Sequence, residues 1–255
     1  MGKVEIEDRD AVRILRINRP EVHNAVDGET AELIEAASEA FASDDGSRVL
    51  IVTGEGDRAF CAGADLRDLT GIGMRAGKDR SSPMGFARLD PGKPTLAAVN
   101  GYCFAGGVEL AAWCDFRVAD ARAEFGILNR RWGIPLIDGG TQRLPRIMGL
   151  GNALYLIEAG VRIGAARALE LGFVQEVVAA GGSVVRALEL AEAIAAYPPI
   201  GLRGDRQAAL AGLNLDLAEG LEREGEIGDV ALTDPELPEA IARFAGPDRP
   251  EPPRG

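Results

Sequence analysis

A glutamate three residues behind a glycine, where an apolar run gives way to a helical pattern, is the spacing in this chain with the most chemistry in it. The run is Asn100-Gly101-Tyr102-Cys103-Phe104-Ala105-Gly106-Gly107-Val108-Glu109-Leu110. If Gly106 opens a helix, its N–H has no partner within that helix, and the helix dipole favours an anion there. Glu109 then sits one turn in, on the same side. A carboxyl so placed can exchange protons at a carbon next to a bound carbonyl. The competing reading is a first-turn glutamate that only complements the dipole. A second small-residue stretch, Ala59-Phe60-Cys61-Ala62-Gly63-Ala64-Asp65-Leu66, also follows an apolar run. Small residues let a ligand come close to the backbone. Two free N–H donors from separate loops make an oxyanion hole, and one such donor is typically worth about 3–4 kcal/mol of transition-state stabilisation. Alternatively, both stretches are ordinary turns.

The elements that must position these stretches follow from the hydrophobic pattern. Residues 4–7 and 12–17 alternate around Asp8-Arg9-Asp10, as in a hairpin. Asp27 suits the N-cap of a helix running through Ala31, Leu33, Ile34, Ala37 and Phe41, which Asp44-Asp45-Gly46 ends. Residues 49–52 and 95–99 are continuous apolar runs, the mark of strands buried on both faces. Short strands are expected at 116–119 and 123–125. Residues 70–93, rich in Gly, Ser, Arg and Lys, read as a mobile segment. From Gly139 onward helices are expected over 139–148, 151–159, 165–171 and 183–196, with one strand at 174–178. Beyond Pro198-Pro199 lie two or three helices, the last near 235–244. The recurring order strand, strand, helix hints at a superhelical ββα repeat. The expected organisation is a core over 1–195, a helical region over 196–246 and a frayed, disordered tail over 247–255.

Composition bounds the partners. The chain has 255 residues, 46% apolar and 27% charged, an ordinary globular balance. No apolar run reaches the roughly 18 residues of a spanning helix, and the N-terminus reads as a strand and not as a signal peptide. A net charge of −12 without a basic patch disfavours nucleic acid. Cys61, Cys103 and Cys114 form no CxxC pair and read as reduced thiols in a cytosol. With His23 as the sole histidine, a histidine triad or a histidine-rich metal site is disfavoured. No GxGxxG follows the first strand, so a nicotinamide enzyme is a poor reading.

The run Ala98 to Leu110 resembles the signature of the enoyl-CoA hydratase/isomerase (crotonase) superfamily. So do Leu15-Arg16-Ile17-Asn18-Arg19-Pro20 with Asn24-Ala25, Phe60 to Leu66, Gly139-Gly140-Thr141-Gln142-Arg143-Leu144, and the closing Asp234-Pro235-Glu236 with Ala240-Ile241-Ala242-Arg243-Phe244. The blocks stand in the family's order and cover about residues 4 to 245. The resemblance implies an α/β fold, a crotonase-like spiral of ββα turns, with a helical C-terminal trimerisation region that builds homotrimers or hexamers. It places the oxyanion hole at Ala62 and Gly106 and the first catalytic glutamate at Glu109. It lays an acyl-CoA thioester over the loop with His23 and Ala25 and over Ala64, Asp65 and Leu66. It implies no metal or redox cofactor, coenzyme A being part of the substrate. The implied activity is that of an acyl-CoA lyase or isomerase working through a thioester enolate in the cytoplasm, with enoyl-CoA hydratase the first label. An isomerase, a C–C hydrolase, a decarboxylase and a non-catalytic CoA-ester scaffold are the alternatives.

One departure matters. The family's second catalytic glutamate falls on Asn129. An amide can orient water or a carbonyl, but it cannot trade protons at neutral pH, and losing one acid/base group typically costs about 10²- to 10⁴-fold in rate. Asp138 stands where the family usually has a small residue. Facing an apolar pocket of Trp132, Ile134 and Leu136, it would be a reserve acid. Otherwise it caps the helix at Gly139 or pairs with Arg130 or Arg131. Trp132 either walls the acyl pocket or packs in the core. Arg19, Arg67, Lys78, Arg80 and Lys93 are candidates for the CoA phosphates, or are simply solvated.

Overall fold

The structure, a computed structural model, describes residues 2–76 and 82–244. The alternating N-terminus forms the expected hairpin of β1 (Val4–Arg9) and β2 (Val12–Ile17). Asp27 caps α1 (Gly28–Ser43), its carboxylate accepting from the N–H and the hydroxyl of Thr30. The chain then repeats a unit. β3 (Val49–Gly54) and β4 (Ala59–Cys61) lead to α2 (Leu69–Met74). β5 (Thr95–Val99) and β6 (Tyr102–Phe104) lead to α3 (Gly106–Trp113). β7 (Phe116–Asp120) and β8 (Glu124–Gly126) lead, through a 3-10 turn at Leu128–Trp132, to α4 (Gly140–Met148). Each turn gives one strand to each of two sheets. The larger has the order β1-β2-β3-β5-β7-β10, the smaller β4-β6-β8-β9. Its strands β2, β3, β5, β7 and β10 run parallel, as do β4, β6 and β8. This is the spiral of ββα turns that the strand–strand–helix recurrence predicts.

The remaining elements are α5 (Leu150–Ala159), β9 (Ile163–Gly164), α6 (Ala165–Glu170), β10 (Glu176–Val178) and α7 (Ser183–Ala195). Three helices close the chain: α8 (Pro199–Gly212), α9 (Leu217–Leu232) and α10 (Leu237–Phe244). β10 is shorter than the strand expected at 174–178, because Val174 is drawn into the core and its N–H returns to the Ala168 carbonyl. The main core lies between the sheets, around Phe41, Phe60, Phe125 and Phe173. A second cluster fills the outer face of the larger sheet, where Ile14, Ile51 and Leu96 meet Ala187, Leu190 and Ala191 of α7.

The reading of 70–93 as one mobile segment needs correction. Residues Leu69–Met74 are helical, and Ser82 to Phe86 are buried. The weak periodicity hid an anchor. Arg75 is buried, binds Glu35 of α1 and donates to the Pro83 carbonyl. Lys78 and Arg80 lie outside the described residues, as do residues 247–255.

Buried Arg117 on β7 braces the far end of α3. It donates to the carbonyls of Ala111 and Cys114 at 3.1 and 2.9 Å, and to those of Asp115 and Phe173. Burial lowers its pKa to about 10. The helix that carries Gly106 and Glu109 is thus fixed from its C-terminal end.

Candidate active site

The chain enters α3 through Ala105, at φ 51° and ψ −120°. A non-glycine residue seldom holds that backbone, and such outliers persist only where the surroundings over-determine them. Here the Ala105 N–H is fixed to the Gly126 carbonyl at 2.8 Å. The N–H groups of Val108 and Glu109 both return to the Ala105 carbonyl, and that of Gly106 has no acceptor among the described residues. A Cβ on Gly106 would stand 2.2 Å from Met84 Sδ, so the missing side chain is what lets Met84 lie against this helix start.

The second strand of the site is laced to residues 23–26. Ala62 donates to the His23 carbonyl at 3.1 Å, Val26 to the Gly63 carbonyl at 2.8 Å, and Asp65 to the Val26 carbonyl at 2.7 Å. Gly63 N–H meets Cys61 Sγ at 3.4 Å. The Ala62 N–H is therefore spent on the fold, which corrects the expectation that it belongs to the hole. Between Ala62 and Asp65, the N–H left without an acceptor among the described residues is that of Ala64. Gly63, at φ 93°, turns the chain between them and lies so near α3 that a Cβ would be 2.8 Å from Gly106 N. Ala64 and Gly106 both line the same cavity.

Glu109 also lines it, though it is only 3% exposed. Its Oε1 accepts from Gly140 N–H at 2.8 Å and Asp138 N–H at 3.0 Å. Burial pushes its pKa up to about 8; the nearby Asp138 carboxyl adds to the rise, and the two N–H donors oppose it. The carboxyl is aimed by main chain from the start of α4. It is more than a first-turn partner for a dipole.

Asn129 comes to the same cavity from the 3-10 turn. Its Nδ2 donates to the Ile134 carbonyl at 2.7 Å, while its buried Oδ1 has no partner among the described residues. Since a carbonyl cannot donate, that contact fixes which way the amide faces. Asp138 lines the cavity too. Its carboxylate accepts from Met84 N–H at 2.9 Å and from the Ser82 hydroxyl, and burial raises its pKa. The N-cap of α4 is Gly139, without a side-chain cap. Among the described residues the Asp138 carboxylate meets Met84 and Ser82 and forms no ion pair with Arg130 or Arg131, so neither structural role expected for it is the one it fills.

The cavity has a volume of about 490 Å³. His23 and Leu66 line it, and Trp132, 68% exposed, is a wall and not core. Ala25 and Asp65 are not among its lining residues. The Ala25 carbonyl takes Arg19, and the Asp65 carboxylate takes Arg19 at 3.1 Å and Arg67 N–H at 3.1 Å. Arg19 is thereby committed to the fold, as is Lys93, whose ammonium meets the carbonyls of Asp44 and Ser47 at 2.8 and 2.9 Å. The three cysteines are buried, and burial pushes the Cys61 thiol up to about 12, away from nucleophilic use.

Several lining residues escape a reading by sequence. Leu69 and Ile72 belong to a helix whose pattern Gly71 and Gly73 obscure. Arg162 lies 4.9 Å from the Phe104 ring and pairs with Glu124 at 3.6 Å; only its alternation with Val161 and Ile163 hinted at a short strand.

Residues 7–245 match the sequence profile of the enoyl-CoA hydratase/isomerase family. The chain is 32% identical to the short-chain-enoyl-CoA hydratase of Clostridium acetobutylicum, over 96% of this chain and 95% of that one. It is 33% identical to the 2,3-dehydroadipyl-CoA hydratase of Escherichia coli, over 96% of each. The crystal structure of an enoyl-CoA hydratase from Bacillus anthracis superposes with a TM-score of 0.90, at 31% identity over 98% of both chains.

Proposed function

Because this chain belongs to the enoyl-CoA hydratase/isomerase family, we propose that its cavity takes a 2-enoyl-CoA thioester and adds water across the double bond. The carbonyl oxygen sits between the N–H groups of Ala64 and Gly106. Water attacks the β-carbon and loses a proton to Glu109 as charge moves onto the thioester oxygen. The N–H donors hold that charge, each contributing about 3–4 kcal/mol. Glu109 then returns the proton to the α-carbon. The hydroxyl ends on the β-carbon and the proton on the α-carbon, so one carboxyl serves as base and then as acid. Asn129 Oδ1 offers the water an acceptor and fixes its approach.

The observation that carries this reading is the meeting of an aimed, buried Glu109 with two unspent N–H groups in one cavity. A carboxylate at 129 would share the proton work. Crotonyl-CoA hydration by wild type, Glu109→Gln and Asn129→Glu tests it. Wild type should turn over, Glu109→Gln should lose about 10²- to 10⁴-fold in kcat, and Asn129→Glu should gain. No turnover by wild type, with activity appearing only in Asn129→Glu, rules out hydration as the native reaction.

Asn129 also favours a second reading. A shift of a proton between the α- and γ-carbons needs only one carboxyl, so isomerisation of a 3-enoyl-CoA by Glu109 is the alternative, read by conjugated product forming from 3-hexenoyl-CoA.

The reading extends to a homotrimer, or a hexamer of two trimers. Exposed Leu217, Leu221, Val230 and Leu232 on α9 support it. Three free cysteines support a cytoplasmic setting. The reaction calls for no cofactor beyond the coenzyme A of the substrate.

A further inference from the structure

Asp138 uses its two ends on two different parts of the site. Its backbone N–H holds Glu109 Oε1 at 3.0 Å. Its carboxylate holds the turn at Ser82–Met84, through Met84 N–H at 2.9 Å and the Ser82 hydroxyl. That turn is compact in itself: Ser82 Oγ accepts from Phe86 N–H at 3.2 Å and Ala87 N–H at 3.1 Å. It is also seated tightly. Gly85, at φ 89°, lies where a Cβ would be 2.1 Å from the Ala31 carbonyl. Arg143 holds the Ala87 carbonyl at 2.6 Å. What the turn delivers to the cavity is Met84, whose sulfur lies against Gly106.

We infer that Asp138 is a positioning residue that latches Met84 across the Gly106 end of the cavity while its own main chain aims Glu109. This rests on the acyl-CoA reading of the cavity. It sets aside Asp138 as the reserve acid. Its carboxylate accepts from the Met84 N–H and the Ser82 hydroxyl, so the contacts it makes are with that turn, and holding the turn is the role those contacts give it.

The charged groups around it make the idea testable. Arg75 and Arg88 face Asp138, whereas Arg143 and Asp138 face Glu109. Asp138→Asn keeps an oxygen for Met84 N–H but removes a negative charge beside Glu109. Asp138→Ala removes the latch as well.

Two measurements on the full chain decide it: kcat and KM for crotonyl-CoA across pH 6–10, and the Kd of butyryl-CoA by tryptophan fluorescence. In Asp138→Asn, kcat at high pH should stay within about fivefold of wild type, with the Glu109 ionisation moved to lower pH. In Asp138→Ala, KM and the butyryl-CoA Kd should rise about tenfold or more, and the asparagine variant should largely restore both. A 10²-fold or larger fall of kcat in Asp138→Asn at every pH, with the ionisation unmoved, would mean that Asp138 passes a proton itself, and the inference falls. So it does if butyryl-CoA binds all three proteins alike. If wild type does not hydrate crotonyl-CoA yet butyryl-CoA binding follows the expected order, the latch stands and the reaction assignment alone fails.

Discussion

Gly140 N–H stands 2.8 Å from Glu109 Oε1, so the buried carboxyl of α3 is tethered to the first residue of α4. The two helices lie 31 residues apart in sequence along this contact. One oxygen of the carboxyl is spent on main chain, which leaves the other for the proton in the proposed reaction. Anything that moves the start of α4 therefore moves that carboxyl.

Gly140→Ala tests the tether. A Cβ there would sit 2.8 Å from Glu109 Cγ. The methyl pushes the carboxyl off its aim at little cost to the helix. Steady-state kinetics should show kcat lower by about 10²-fold, since misplacement on the ångström scale costs that much, with KM within about threefold. A KM increase at unchanged kcat would contradict the assigned role of Glu109.

The rate should depend on pH with a definite sign. In the proposed reaction Glu109 begins the cycle as a base, and burial sets its pKa at about 8. The productive, ionised form grows as pH rises through that value. The kcat/KM of wild type should rise about fivefold from pH 7 to 8 and about tenfold by pH 9, and then level off. A profile falling over the same range would show the carboxyl acting first as an acid.

Stability should follow pH in the opposite sense. The Glu109 pKa is raised from 4.5 to about 8 in the folded chain, so the native state binds the proton more tightly than the unfolded state. Its contribution is fully present below about pH 4.5 and is lost as pH climbs to 8. Glu109→Gln keeps an oxygen for both N–H donors and cannot ionise. Its Tm should match that of wild type near pH 5 and exceed it by roughly 5 °C or more at pH 9. Equal Tm values at pH 9 would mean that the carboxyl is not buried in solution.

Arg117→Met removes the brace at the other end of α3. It leaves the carbonyls of Ala111 and Cys114 buried without their donor. Each such loss costs about 1–3 kcal/mol, so Tm should fall by roughly 10 °C. Arg117→Lys should recover little, because an ammonium cannot fan across carbonyls as a guanidinium does. Thermal unfolding by circular dichroism reads both variants.

Much of this was legible from local spacing. Gly106 and Glu109 are three residues apart on one helix, and the alternation of β1 and β2 is written in adjacent residues. Asn129 reaches the cavity because its distance from Gly140 is set by one short turn and one loop. What escaped depends on partners far along the chain. Whether Ala62 or Ala64 has the unspent N–H is decided by the His23–Val26 edge, about forty residues earlier. The partner of Asp138 is Met84, 54 residues away, in a stretch whose polar composition conceals a buried turn. No local pattern encodes such meetings; they exist only once the spiral has closed.

Gly63 gives the site a particular fragility. On one side of it an amide serves the scaffold, and on the other an amide waits for a visitor. A side chain there, or one residue more or fewer in that loop, would rotate the waiting dipole away while the sheets stayed assembled. If the proposed reaction holds, descendants of such a chain would keep the architecture and fall silent, and the passage from enzyme to inert cousin would be a single step at a position that never touches the reacting carbon.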